Sequence, residues 1–159
     1  MKFPRLLQNL FQTSSDSHQA SSDVSSEERL TRYLFSKSGF KKNANNSMEA
    51  KAAAFLPHDG ETSVFRTSGL SEDMIWSIGA EFVERPRQQA NPASMKARAD
   101  FCADIVADVN RTFGQGLKIE PDTNVHPLHA NITSWPREES LRDLIAVEIA
   151  RASAVCSKP

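Results

Sequence analysis

The sequence predicts an α+β domain in which a mostly antiparallel sheet of about five strands packs against two or three helices. Several short segments alternate apolar and polar residues, which is typical of half-buried strands. Other segments repeat apolar residues every three or four positions, which is typical of amphipathic helices, and turn residues separate the two kinds. A chain of 159 residues with 39% hydrophobic residues has room for one such domain, expected over residues 27–156.

Residues 1–26 are expected to form a tail outside this domain. Within residues 1–12 the apolar side chains recur at helical spacing, which predicts an amphipathic segment. Residues 13–26 are rich in serine and too polar to offset the entropy of ordering, so we expect a flexible linker. The amphipathic segment suits docking onto a protein partner, while targeting and membrane-surface binding stay open as alternatives.

The first element of the domain is predicted to be a helix over residues 26–37. Ser25 and Glu28 have the spacing of a capping box, and Gly39 is a natural stop. The polar, turn-rich segment that follows contains the densest cations of the chain, which are Lys41, Lys42 and Lys51.

A β-hairpin is expected next, from residues 52–56 and 62–67. The second segment is rich in β-branched and aromatic residues. Between the two segments, Asp59 and Gly60 provide the positive φ angles that a tight turn needs.

A helix is predicted over residues 72–84, with Ser71 as its N-cap. Residues 85–94 contain two prolines and no large apolar side chain, so we expect an exposed loop. Alternation then predicts a strand over residues 96–101. Apolar residues four apart, ending before a glycine, predict a helix over residues 102–113.

The last part of the domain is predicted to contain two strands and a helix. The strands are expected at residues 117–120 and 128–133, from their alternation. Pro136 suits the first turn of a helix that runs to residue 152.

Composition excludes several classes of function. The net charge is −1, and residues 52–159 contain eleven Lys and Arg against fifteen Asp and Glu, which argues against wrapping duplex nucleic acid. No apolar run is long enough for a transmembrane segment. Cys102 and Cys156 lack a CxxC neighbour and are expected to be free thiols, which favours a reducing, cytoplasmic location.

One group of polar residues is a candidate functional site. In the strand predicted over residues 128–133, His129, Asn131 and Thr133 share one face, while Leu128, Ala130 and Ile132 point to the core. If that face is uncovered, it would also present Arg66, Arg98 and Lys51. We expect this group to bind an anion, with His129 as a catalytic acid or base. The alternative is that all six are ordinary polar groups on a solvated sheet.

Other kinds of site find little support in the sequence. His126 and His129 lack the further ligands and the spacing of a zinc site, and no glycine-rich phosphate loop is present, so we predict no metal and no cofactor. Trp76 and Trp135 are expected to be packing residues, with stacking against a ligand as the alternative.

Five phrases of the chain resemble those of small uncharacterised bacterial proteins: AAFLP, ETSVFR, SGLSEDMIWSIG, GLKIEPD and HANITSWP. The resemblance spans residues 29–152. It implies a bacterial, cytoplasmic, single-domain protein and carries no activity, cofactor or catalytic residue.

Two functions from different classes follow from these observations. The first is a small cytoplasmic binding or accessory module that acts through a protein partner, engaged by residues 1–12. The alternative is a protein that binds or hydrolyses a phosphate ester or nucleotide, with His129 as acid or base and Arg66 and Arg98 holding the phosphate. The sequence leaves open whether the protein is an enzyme.

Overall fold

The computed structural model describes residues 23–159. Its strands are β1 Arg29–Leu34, β2 Phe40–Lys42, β3 Met48–Ala50, β4 Thr62–Arg66, β5 Ala97–Cys102, β6 Lys118–Pro121, β7 His129–Thr133 and β8 Ala154–Ser157. Its α-helices are α1 Glu72–Ile78, α2 Arg85–Gln88, α3 Asp104–Phe113 and α4 Glu139–Ala152. The predicted amphipathic segment 1–12 and nearly all of the predicted linker lie outside the described residues.

Six strands form one antiparallel sheet in the order β6-β7-β4-β1-β5-β8. The α+β class and the antiparallel sheet are therefore confirmed, with six strands where about five were expected. Four paired residues cross the centre of the sheet from β7 to β5. In this order they are His129, Phe65, Thr31 and Asp100, each opposite the next. Residues opposite each other share a face, so these four positions identify one face of the sheet.

Helices pack on both faces of the sheet. The larger hydrophobic cluster joins Val64 and Ile132 of the sheet to residues of α3 and α4, including Val109 and Ile149. A smaller cluster lies on the face of His129 and joins Tyr33 and Phe65 of the sheet to Ile75 and Ile78 of α1. That face, expected to be uncovered, is therefore partly covered by α1.

The expected helix over residues 26–37 is wrong, because this segment contains the central strand β1. Both faces of β1 are buried, with Leu30 and Leu34 in the larger cluster and Tyr33 in the smaller one. A strand buried on both faces has no alternation of apolar and polar residues, so its apolar spacing resembled that of a helix.

Two further expectations need correction. Residues 52–56 are not the first strand of a hairpin, because the alanine-rich segment Ala52–Ala54 forms a 3-10 turn. The expected loop over residues 85–94 begins with helix α2, which continues from α1 through a π-helical segment, Gly79–Glu84. Pro86 cannot donate a backbone hydrogen bond, and the change from α-helical to π-helical geometry lies directly before it.

Most other expected elements are confirmed. Asp59 and Gly60 have φ angles of 52° and 85°, as the predicted turn requires. The hydroxyl of Ser71 accepts a hydrogen bond from the backbone N–H of Met74, as an N-cap does. Strands β5, β6 and β7 and helices α3 and α4 lie close to their predicted ranges. The short hairpin β2–β3 and strand β8 were not predicted.

Leu128 does not point to the same side as Ala130 and Ile132. It packs instead with the smaller cluster beside Phe65. The N–H of His129 donates to the carbonyl oxygen of His126, so Leu128 lies in a turn before β7. The alternation of side chains along a strand therefore does not apply to Leu128.

Cys102 and Cys156 are both free thiols, as predicted. Within residues 23–159, no helix combines the length and the apolar character needed to span a bilayer.

Candidate functional site

Ser63 and His129 lie side by side on neighbouring strands. Ser63 is in β4 and His129 is in β7, and the Oγ of Ser63 is 2.6 Å from the Nε2 of His129. His129 is 5% exposed, whereas Ser63 is only partly buried. The pair therefore places a hydroxyl near the surface and an imidazole beneath it.

Asp122 is on the other side of the His129 ring. The Nδ1 of His129 is 3.3 Å from the carbonyl oxygen of Asp122 and 3.4 Å from its carboxylate Oδ2. Both neighbours of Nδ1 accept hydrogen bonds, so Nδ1 carries the proton of the neutral ring. Nε2 is then an acceptor, and the hydroxyl of Ser63 donates to it.

Burial lowers the pKa of His129, and the carbonyl and carboxylate of Asp122 oppose that shift. The imidazole is therefore neutral at pH 7, as a general base must be. A serine hydroxyl, a neutral histidine and an aspartate in this order have the connectivity of a nucleophile, its base and the group that orients the base.

A cavity of about 40 Å³ adjoins Ser63 on the face of the sheet that holds His129. Its lining contains two arginines, a serine, a valine and three aromatic side chains: Arg32, Tyr33, Phe35, Ser63, Phe65, Val83 and Arg87. The volume has room for one small group, so only the reacting part of a ligand would enter.

Arg32 is held beside Ser63 by the main chain. Its Nε donates to the carbonyl oxygen of Ala54 at 3.0 Å, and its Nη1 donates to that of Ser63 at 2.8 Å. Strands β1 and β4 pair at only two positions, Leu30 with Arg66 and Thr31 with Phe65. Arg32 is the next residue of β1, where this pairing has ended. Burial and the nearby charge of Arg87 lower the pKa of Arg32 to about 10, which leaves it cationic at pH 7.

Arg87 is exposed in α2, and its guanidinium lies 4.5 Å from the centre of the Phe35 ring. Within residues 23–159, neither Arg32 nor Arg87 forms a salt bridge with a carboxylate. Two cations that repel each other without a counter-ion favour the binding of an anion between them.

Asn131 and Thr133 share the face of His129, as alternation predicted, but both are engaged by carboxylates. The Nδ2 of Asn131 donates to the carboxylate of Glu61 at 2.9 Å. The hydroxyl of Thr133 donates to the carboxylate of Glu120 at 2.9 Å. Neither residue lines the cavity at Ser63.

The cations expected beside His129 lie elsewhere. Arg66 follows Phe65 in β4, so its side chain points away from the face of His129, and it pairs with Glu28 at 2.6 Å. Lys51 follows β3, outside the six-stranded sheet, and its Nζ donates to the carbonyl oxygen of Lys37.

Arg98 is on the face of His129, but β5 is three strands away from β7, which is about 14 Å at the usual strand spacing. Its guanidinium lies 2.8 Å from Glu72 and 3.0 Å from Asp100, beside the ring of Trp76. Arg98 thus fastens helix α1 to the sheet. Trp76 and Trp135 both pack against the hydrophobic clusters, as expected.

Sequence reasoning found His129 and missed its neighbours. Ser63 was counted only as a residue of a predicted strand, and Arg32 was placed in a predicted helix. Arg87 was placed in an exposed loop. No local pattern marked Ser63, because its approach to His129 depends on how β4 and β7 pair.

No protein-family model, no curated protein and no solved structure matches the chain. Among residues 23–159, no three His, Cys, Asp or Glu side chains are grouped so that they could hold a metal ion.

Proposed function

We propose that the protein hydrolyses a small phosphate ester, with Ser63 as the nucleophile. The observation that carries this proposal is the contact of 2.6 Å between the Ser63 hydroxyl and the imidazole of His129. Beside it are two arginines that have no carboxylate partner among residues 23–159. A hydroxyl that donates to a neutral imidazole is activated for attack. Two guanidinium groups suit the charge of a phosphoryl group.

The reaction has two balanced steps. In the first, the Ser63 oxygen bonds to phosphorus, the bond from phosphorus to the leaving alcohol breaks, and His129 transfers the serine proton to that alcohol. In the second, His129 takes a proton from water, the water oxygen bonds to phosphorus, the bond from phosphorus to the Ser63 oxygen breaks, and His129 gives its proton to that oxygen, which restores the serine. Arg32 and Arg87 hold the phosphoryl oxygens in both steps.

Asp122 orients the imidazole and supports its transient positive charge. His129 therefore keeps the catalytic role that the sequence suggested, while Arg32 and Arg87 replace Arg66 and Arg98 as the anion-holding residues. With two free thiols, the protein is suited to a reducing cytoplasm. The rival idea of a partner engaged by residues 1–12 stays a prediction.

The experiment is a comparison of p-nitrophenyl phosphate with p-nitrophenyl acetate as substrates of the full chain. We expect the phosphate ester to be turned over and the neutral ester to react more slowly, because only the phosphate ester carries the charge that the two arginines hold. Faster hydrolysis of the acetate, or no hydrolysis of the phosphate above the rate of the Ser63→Ala variant, would refute the proposal.

A further inference from the structure

A second basic site lies at one end of the sheet. It is a cleft of about 600 Å³ between the segment after β1, the hairpin β2–β3 and the residue that precedes β5. Five of its eight lining residues are lysines: Lys37, Lys41, Lys42, Lys51 and Lys96. We call it the lysine cleft.

Carboxylates of residues 23–159 compensate little of the positive charge of the lysine cleft. Lys41 pairs with Glu49 at 2.7 Å, and Lys51 donates to the carbonyl oxygen of Lys37. Lys37, Lys42 and Lys96 form no salt bridge with a carboxylate of residues 23–159. Like charges around one concavity raise the local concentration of anions and favour a ligand with several negative charges.

The lysine cleft also offers aromatic surface. The side chains of Phe35 and Phe40 line it together with the lysines. Aromatic rings beside cations suit the stacking of a nucleobase next to its phosphates. A volume of about 600 Å³ lies within the range of pockets that bind small molecules.

We propose that the lysine cleft binds a nucleoside polyphosphate, with its base against the phenylalanines and its phosphates among the lysines. A long nucleic acid fits less well, because it would have to leave the cleft across a chain whose residues 52–159 are acidic on balance.

Phe35 connects the lysine cleft with the cavity at Ser63, because it lines both. The two sites are therefore neighbours. Binding in the cleft does not rest on the proposed hydrolase function, because it does not need the hydroxyl of Ser63.

The test is calorimetric titration of the full chain with ATP in the presence of EDTA. Inorganic triphosphate and a single-stranded oligothymidylate serve as comparison ligands. The protein variants are Lys42→Ala with Lys96→Ala, the control Lys118→Ala in β6, and Ser63→Ala. The three lysines are exposed, so replacing them with alanine leaves the core intact.

We expect ATP to bind more tightly than triphosphate, and the double variant to lose about tenfold or more in affinity while Lys118→Ala and Ser63→Ala bind as the unmodified protein does. The proposal is overturned by no binding of ATP, by equal affinity for triphosphate, by tighter binding of the oligonucleotide, or by a double variant that binds ATP unchanged. ATP binding by a protein that does not hydrolyse p-nitrophenyl phosphate would leave the cleft assignment standing and remove the hydrolase proposal alone.

Discussion

The Oγ of Ser63 and the Nε2 of His129 are 2.6 Å apart across the antiparallel pair of β4 and β7. In the register, Ser63 is opposite Asn131, so the contact with His129 is diagonal on one face of the sheet. Diagonal neighbours on paired strands are within reach of a long side chain such as histidine. Ladder hydrogen bonds hold both backbones, so the distance between the two side chains is set by rigid elements.

The first prediction concerns the pH dependence of hydrolysis. Because burial lowers the pKa of His129 below the ordinary value of 6.5, kcat/KM should fall on acidification only below that pH. Asp122 raises this pKa, so Asp122→Asn should move the acid limb to still lower pH. The measurement is the pH profile of kcat/KM for p-nitrophenyl phosphate.

Asp104→Asn is the control for this shift, because Asp104 is exposed in α3, which packs on the opposite face of the sheet. We also expect Asp122→Asn to lower kcat by about tenfold to a hundredfold, less than the loss of about ten thousandfold seen when the correct histidine tautomer is lost. The reason is that the carbonyl oxygen of Asp122 still accepts from Nδ1. An acid limb that moves upward would contradict the role assigned to Asp122.

The second prediction concerns Arg87. Arg87→Ala should lower kcat/KM for the phosphate ester by about tenfold to a hundredfold, because one of two charge-assisted contacts to the phosphoryl group is lost. Arg85→Ala is the matched control, since Arg85 lies in the same helix and pairs with Glu81. Equal effects of the two substitutions would show that Arg87 does not hold the substrate.

The third prediction concerns the stability of the protein in acid. His126 is 2% exposed, its ring lies 4.4 Å from that of Phe82, and its Nδ1 accepts from the N–H of Leu128. Burial, together with the nearby His129, lowers the pKa of His126 to about 4. Between pH 6.5 and 4 the unfolded chain therefore binds a proton that the folded chain does not, and the free energy of unfolding falls as the pH falls.

This loss should amount to roughly 3.5 kcal/mol at most, since each unit of pKa difference corresponds to about 1.4 kcal/mol. Denaturant unfolding at a series of pH values measures it. His126→Asn keeps an acceptor for the N–H of Leu128 and removes the titrating ring, so its stability should depend less on pH over this range. An unchanged pH dependence in this variant would assign the acid sensitivity to other groups.

The fourth prediction concerns Gly79, where α1 passes into the π-helical segment. A Cβ at this position would lie 2.5 Å from a ring carbon of Tyr33 and 2.8 Å from the sulfur of Met95. Tyr33 cannot easily move away, because its hydroxyl donates to the carbonyl oxygen of Ile75. Gly79→Ala should therefore lower the free energy of unfolding by about 1–3 kcal/mol, as overpacking does, despite the better helix propensity of alanine.

Gly116→Ala is the control for this overpacking, since an added Cβ there meets nothing within 4 Å. It should change stability by no more than about 0.5 kcal/mol. Thermal unfolding of the two variants and of the unmodified protein measures this difference in stability. A Gly79→Ala protein as stable as the unmodified chain would mean that the helix can shift away from Tyr33.

The sequence predicted those parts of the molecule that depend on local patterns. The exposed turn at Asp59 and Gly60 and the N-cap at Ser71 are set by the chemistry of neighbouring residues, and both are confirmed. Strand β1 was not predictable in this way, because its burial on both faces arises only once β4 and β5 pair with it.

The sequence likewise predicted only the part of the candidate site that depends on a local pattern. Alternation placed the side chain of His129 on one face of its strand, but its partner depends on which strand lies next to β7 and in which register. Ser63 is 66 residues away in the chain, and no local pattern sets that pairing. Arg32 follows Thr31 in β1, so alternation alone would direct it away from the face of His129. It lines the cavity at the point where the pairing of β1 with β4 has ended, which no local pattern predicts.

Mass spectrometry of the protein quenched in acid during turnover of p-nitrophenyl phosphate tests the nucleophile most directly. We expect a phosphoryl group on the peptide that contains Ser63, and no such adduct in the Ser63→Ala variant. Turnover of the ester with that peptide unmodified throughout, or with undiminished activity in Ser63→Ala, would show that Ser63 is not the nucleophile.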